Sequence, residues 1–97
     1  MKLLIFGMEP CIHCRQAKAF LDAENIPYMF FDITESTANM KKFLKLRDTE
    51  PLFDDVKKEG RIGVPCFKLS DGTLTLNLNE ALEKMGVEAR YTQEVQC

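Results

Sequence analysis

The chain has 97 residues, of which 45% are hydrophobic, and its formal net charge is −2. This length and apolar content predict one domain, residues 1–97, with a single core, and they argue against intrinsic disorder. The charge offers no basic surface for nucleic acid, no stretch approaches the about 20 apolar residues of a membrane span, and the first apolar run is too short for a signal peptide.

The first third of the chain predicts a β-α-β unit. Residues 3–6 are a short apolar run, typical of a strand buried on both faces. An amphipathic helix is expected from Cys11 to about Glu24, with Asn25 in a left-handed cap position. Residues 28–31 then predict a second buried strand. Because one helix joins them, the two strands should be parallel.

The middle of the chain has a helical pattern. Met40, Phe43 and Leu44 lie at the spacing of one helix face, and Thr34 or Ser36 is a suitable N-cap. We expect two helices here, or one helix broken between residues 48 and 51, where a proline follows a possible new N-cap.

The last third predicts a β-hairpin and a helix. Residues 64–69 and 73–76 are strand-like and flank Asp71-Gly72, a strong hairpin signal. Asn77 or Asn79 is expected to cap the final helix. Residues 87–97 are mixed polar, so we expect a loose tail or a return along the surface, beside a core of residues 1–86.

The two cysteines of Cys11-Ile12-His13-Cys14 directly follow the first strand and open the first helix. The unpaired amides and partial positive charge of a helix N-terminus stabilise a thiolate. Such surroundings lower a cysteine pKa from about 8.5 to about 3.5–7.5 and make the sulfur nucleophilic. The spacing also serves half of a zinc site, but no second cysteine pair follows. A redox dithiol is therefore favoured over a metal site.

With Val64-Pro65 opening the third strand, the chain resembles the glutaredoxin family of the thioredoxin-like superfamily, as an atypical member. The resemblance covers roughly residues 1–86. It implies an α/β fold with a four-stranded mixed sheet flanked by helices, here with an extended helical connection before the third strand. It also implies that Val64-Pro65 is a cis bond facing the dithiol.

The resemblance further implies a cytoplasmic, monomeric thiol–disulfide oxidoreductase that serves electron transport and cell redox homeostasis. Cys11 would be the exposed, low-pKa nucleophile that attacks a disulfide, and Cys14 the buried thiol that resolves the mixed disulfide. No permanent cofactor is expected. Glutathione would be the co-substrate, and disulfides of proteins or small molecules the substrates. The backbone of Val64 would pair with bound glutathione or peptide as an added strand. The implied substrate-binding residues are Val64, Pro65, Thr75, Leu76 and Asn77.

Several residues depart from the family pattern. Ile12-His13 replaces the usual Pro-Tyr, and no basic residue precedes Cys11, where Glu9 would instead repel a glutathione carboxylate and the thiolate. Thr75-Leu76-Asn77 stands where the family has Gly-Gly. These differences weaken the case for glutathione specificity. A rival hypothesis therefore keeps the chemistry but takes electrons from a flavin-dependent reductase of the thioredoxin-reductase type.

The remaining candidates complete the hypotheses. We expect His13 to stabilise the Cys11 thiolate or to carry a proton. Cys66 is expected in the core and Cys97 to be an incidental exposed thiol. A cationic residue of the second helix, Arg47 among them, is a further candidate for a glutathione carboxylate. A hypothesis of another class is an iron–sulfur or metal-binding module that uses Cys11, and an arsenate-reductase-like relative fits the length and hairpin less well.

Overall fold

A computed structural model describes residues 2–97 and contains one four-stranded sheet. Its strands are β1 (Leu3–Gly7), β2 (Met29–Asp32), β3 (Cys66–Leu69) and β4 (Leu74–Thr75), in the spatial order β2-β1-β3-β4. β1 and β2 are parallel, whereas β3 is antiparallel to both β1 and β4. The predicted β-α-β unit, the hairpin and the mixed sheet are thus confirmed.

Four helices surround the sheet, namely α1 (Ile12–Ala23), α2 (Thr37–Thr49), α3 (Asp54–Lys58) and α4 (Leu78–Lys84). A single 3-10 turn, Pro51–Phe53, separates α2 from α3. The extended helical connection before β3 is therefore two helices. Among residues 2–97, none of the helices has the length and apolar character needed to cross a membrane.

Side-chain caps decide where two of these helices begin. The Ser36 hydroxyl accepts a hydrogen bond from the Asn39 amide, so Ser36 caps α2 and Thr34 does not. The Asn77 side chain accepts one from the Glu80 amide and caps α4. In each case the cap satisfies a backbone donor that has no partner within its own helix.

The expectation that the second strand is buried on both faces is wrong. β2 lies at the edge of the sheet, and Met29 is 45% exposed. Phe30 and Phe31 are half-buried. A short apolar run does not by itself reveal whether a strand has a neighbour on both sides, and here only β1 pairs with it.

Two apolar clusters form because alternate strand residues point to opposite faces of the sheet. Ile5 and Phe67 belong to the first cluster, with Leu21 of α1 and Leu82 of α4. The second cluster contains the following buried residues: Phe6, Cys11, Cys14, Ile33, Phe43, Phe53, Val56, Val64 and Cys66. Both cysteines of the CxxC sequence therefore lie at the second cluster.

Of the two alternatives for residues 87–97, the structure shows a return along the surface and not a loose tail. Tyr91 is only 6% exposed, and its ring lies 5.1 Å from that of Phe20 in the first cluster. The Asn79 side chain holds the backbone of Tyr91 through two hydrogen bonds, of 2.6 and 2.8 Å. The ring of Tyr91 and the side-chain amide of Asn79 thus hold a segment whose polar composition suggested that it would be exposed to solvent.

Candidate active site

Cys11 lies in the connection from β1 to α1, as the N-cap residue of that helix. Its backbone is extended and its amide donates to the Met8 carbonyl at 3.1 Å. No side chain of the described residues caps the first turn of α1, so the amides of that turn have no side-chain hydrogen-bond partner at the N-cap. This position carries the partial positive charge that favours a thiolate.

Cys14 sits one turn further along α1 and is fully buried. A Cβ atom added to Gly7 would lie 2.9 Å from the Cys14 sulfur and 2.8 Å from the Phe30 ring, so only glycine leaves room for this thiol. Burial raises the pKa of Cys14 to about 11, although a hydrogen bond from the Met8 backbone acts in the opposite direction. Cys14 is therefore a neutral thiol at physiological pH.

The sulfur of Cys11 is bonded to that of Cys97, 86 positions away in the sequence. Cys14 and Cys66 are the free cysteines of the described chain. The expectation that Cys97 is an incidental exposed thiol is thus wrong. The expectation that Cys11 is exposed is also wrong in this disulfide form, since Cys11 is only 3% exposed. No local spacing signals such a pair, because the fold alone brings the two residues together.

Val64 and Pro65 lie beside this disulfide, and their peptide bond is cis as predicted. The Val64 carbonyl is 3.9 Å from the Cys11 sulfur and accepts a hydrogen bond from the Cys97 amide at 2.7 Å. The Gly63 amide donates in turn to the Cys97 carbonyl at 2.8 Å. The backbone expected to pair with a substrate therefore pairs with residue 97.

The other predicted binding residues form a strip that runs from β4 into α4. Thr75 is buried, and its hydroxyl accepts a hydrogen bond from the Asn77 amide at 3.0 Å. The Leu76 carbonyl accepts one from the Gln96 side chain at 2.7 Å. The C-terminal segment thus lies along this strip as well as along Val64.

His13 occupies the first turn of α1, between the two cysteines. It is half-buried, and its Nδ1 atom is buried with no hydrogen-bond partner among residues 2–97. No hydrogen bond joins it to either sulfur in that part of the chain. The role expected of His13 from the sequence therefore stays a prediction.

The charge of Glu9 is compensated by Lys18, with which it forms a salt bridge. Lys18 also lies 4.1 Å from the centre of the Phe30 ring. The repulsion expected from Glu9 is therefore reduced. Because Lys18 is engaged in this pair, it is not a free cation for a carboxylate substrate.

Arg47 also has its donors engaged. Its guanidinium donates to the carbonyls of Ile62 and Arg61, both at 2.8 Å. These bonds hold α2 to the chain just before Gly63, which is a structural role. They leave fewer donors for a glutathione carboxylate than the sequence suggested.

Cys66 belongs to the core, as predicted. It is fully buried in β3, and burial raises its pKa to about 12. Across residues 2–97 no three side chains of His, Cys, Asp or Glu converge as a set of metal ligands. A metal or cluster at Cys11 would thus need ligands from outside these residues.

Comparison with known proteins agrees with the fold. The glutaredoxin family profile matches residues 3–66, a stretch that contains both cysteines of the CxxC sequence and Val64-Pro65. A protein of Haemophilus influenzae described as uncharacterized is 33% identical over 79 residues, which cover 81% of this chain and 92% of that protein. No solved structure matches significantly.

Proposed function

The chain belongs to the glutaredoxin family, and from that premise we propose that it is a thiol–disulfide oxidoreductase whose attacking group is the Cys11 thiolate. The observation that carries the proposal is the position of the Cys11 sulfur. It lies at the N-terminus of α1, bonded to a second sulfur and 3.9 Å from the Val64 carbonyl. This is the arrangement that a mixed disulfide with a bound peptide requires.

The reaction begins when the helix N-terminus stabilises the Cys11 thiolate. The thiolate attacks one sulfur of the substrate disulfide, and the other sulfur leaves as a thiol. Cys14 is the resolving thiol of the CxxC pair in this scheme, and it displaces the second substrate thiol. Because burial raises the pKa of Cys14 to about 11, this second step is expected to be slow near neutral pH.

We propose glutathione as the electron donor, and a flavin-dependent reductase as the rival donor. The engagement of two cations is an observation on the side of the rival, since Lys18 is paired with Glu9 and Arg47 with two backbone carbonyls. Glutathione carries two carboxylates that such cations would otherwise bind. A reductase that docks as a protein does not depend on these particular charges.

The test is turnover of a glutathione mixed disulfide in the presence of glutathione and glutathione reductase. We expect activity in the unmutated protein and in Cys14→Ser, because removal of glutathione needs one thiol. Cys11→Ser should fall to the uncatalysed rate, since the attacking sulfur is gone. Cys66→Ala is the matched control, because its thiol is buried in the core, and it should keep its activity.

The donor is tested with the same proteins. Activity with thioredoxin reductase and none with glutathione would establish the rival donor. Absence of activity with both donors would contradict the proposed function. In that case the iron–sulfur hypothesis would be tested next. A bound cluster would give anaerobically prepared protein an absorbance in the visible range, which a dithiol lacks.

A further inference from the structure

Three residues of the segment 94–97 make polar contacts with the site and with the chain around it. The Glu94 carboxylate accepts hydrogen bonds from the first two amides of α4, at 2.9 and 2.8 Å. Gln96 donates to the Leu76 carbonyl, and the Arg61 guanidinium donates to the Gln96 carbonyl at 3.4 Å. Cys97 then pairs with the backbone of Gly63 and Val64. A segment held through Glu94, Gln96 and Cys97 is docked in a defined register.

The docked segment uses the groups that the sequence assigned to a substrate. The Val64 carbonyl and the Leu76 carbonyl both accept hydrogen bonds from it, and the Cys11 sulfur is bonded to its sulfur. A peptide joined to Cys11 by a disulfide and paired with Val64 would need the same three contacts. Substrate and segment 94–97 therefore exclude one another from this groove.

We propose that Cys97 is a third redox thiol of the exchange reaction, which resolves the Cys11–substrate mixed disulfide while segment 94–97 takes the place of the substrate. Cys97 has this role only if Cys11 attacks disulfides as proposed above. The product of the step is the Cys11–Cys97 disulfide seen in the structure. In this oxidised form the groove is closed to a further peptide until a reductant opens the bond.

The step balances without a further oxidant, because the substrate disulfide supplies the oxidising equivalents. The Cys97 thiolate attacks the Cys11 sulfur, and a bond forms between these two atoms. The bond from Cys11 to the substrate sulfur breaks, and its electron pair leaves with that sulfur, which takes a proton from water. Over both steps, two electrons and two protons pass from the Cys11 and Cys97 thiols to the substrate disulfide, which becomes two thiols.

Cys97 has an advantage over Cys14 as the resolving group. Cys14 is fully buried beside Gly7, and burial keeps its thiol protonated near neutral pH. Cys97 is half-buried and lies on a segment whose docking carries its sulfur directly onto Cys11. Such tethering raises the effective concentration of a thiol far above that of a free thiol in solution.

The decisive experiment uses the full chain as Cys14→Ser, reduced and then mixed with oxidised glutathione. Intact mass and released glutathione are followed with time. We expect a glutathione adduct on Cys11 that decays, with two glutathione molecules released per protein. The double variant Cys14→Ser, Cys97→Ser should keep its adduct and release one. The internal disulfide is identified after cleavage at lysine and arginine, as a link between peptides 3–15 and 91–97.

The outcomes separate the two proposals. An adduct on Cys11 that persists equally in both variants would overturn the role of Cys97 and leave the proposed function intact. No adduct in either variant would contradict the proposed function itself. Mapping of the unmutated protein after the same treatment is independent of any variant's folding. A link from Cys11 to Cys14 alone, with Cys97 fully alkylated, would overturn the inference.

A second variant tests whether docking of the segment delivers the thiol. Asn79→Ala keeps every cysteine but removes both hydrogen bonds to Tyr91. In the Cys14→Ser background it should slow the decay of the adduct by at least about tenfold, with the same final stoichiometry. An unchanged decay rate would show that the docked geometry does not matter, and would overturn that part of the proposal.

Discussion

Two regions of this molecule each hold a thiol that is a candidate partner for Cys11. The helix mouth supplies Cys14, three residues along the chain and fully buried behind Gly7. The C-terminal segment supplies Cys97, which is 86 residues away and bonded to Cys11. The nearer thiol is enclosed by the core, whereas the distant one is held in the groove by polar contacts. Closeness in sequence and availability for reaction are therefore different properties.

The difference follows from how each thiol is held. Cys14 is one side chain of the second apolar cluster, so its exposure would disturb the packing of its neighbours. Segment 94–97 is held by hydrogen bonds at the protein surface, each of which contributes only about 0.5–1.5 kcal/mol net. Such a segment can dock and leave without unfolding the core. The following predictions test this contrast, from the largest expected effect to the smallest.

The largest effect is expected in the alkylation of the reduced protein by iodoacetamide at pH 7.5. Cys97 is half-buried on a segment held by hydrogen bonds, whereas Cys14 is fully buried and has a pKa of about 11. We expect Cys97 to react at least about a hundredfold faster, because only the thiolate is nucleophilic. The rate at Cys14 should rise with pH up to about 11, since burial favours its protonated form. Residue-specific mass mapping measures both rates, and equal rates would remove the contrast.

Gly63→Ala is expected to destabilise the protein by about 2–4 kcal/mol. Gly63 has a φ of +97°, and an added Cβ would lie 2.9 Å from the Phe53 ring. Strain and overpacking thus act together, next to the amide that pairs with Cys97. Gly60→Ala is the matched control, because its φ is +71° with nothing within 4 Å of the added atom. It should lose only about 1–2 kcal/mol in urea unfolding. Equal losses would contradict the packing argument.

Gly7→Ala tests the region of Cys14 and should cost about 1–3 kcal/mol of the free energy of unfolding. The added methyl group would meet the Cys14 sulfur and the Phe30 ring. The double variant Gly7→Ala, Cys14→Ala removes the sulfur and should show a favourable coupling between the two sites in a double-mutant cycle. Strictly additive losses would mean that Gly7 does not shape the pocket of this thiol.

Glu94→Gln should have the smallest effect, about 1 kcal/mol, because a neutral amide replaces a carboxylate that accepts two amide hydrogen bonds at α4. Glu88→Gln is the control, since Glu88 is an exposed residue of the C-terminal stretch 87–97. Thermal unfolding of the reduced proteins measures the difference. A Glu94→Gln protein as stable as the control would mean that this carboxylate does not hold the segment.

Much of the architecture could be predicted from the sequence because its causes are local. Hydrophobic periodicity predicted β1, α1 and the β-α-β unit, Asp71-Gly72 predicted the hairpin, and Asn25 has the expected positive φ of 55°. Cys66 was predicted in the core from the alternation of β3. The edge position of β2 was missed, because the number of neighbours of a strand is decided by how the whole sheet assembles.

At the site, the sequence alone determined that Cys11 follows a strand and precedes a helix. It also determined that Val64-Pro65 lies at the start of the third strand. Those features depend on short-range spacing and chain order. The burial of Cys14 was also expected from its place on the apolar stripe of the first helix. Only the tertiary structure decided that Cys11 is covered, that Glu9 is paired with Lys18, and that Cys97 reaches Cys11. Each of these depends on which distant surfaces meet, and the contacts of residues 91–97 come from α4, β4 and the chain before Pro65. These contacts could not be predicted from the spacing of residues within the C-terminal segment itself.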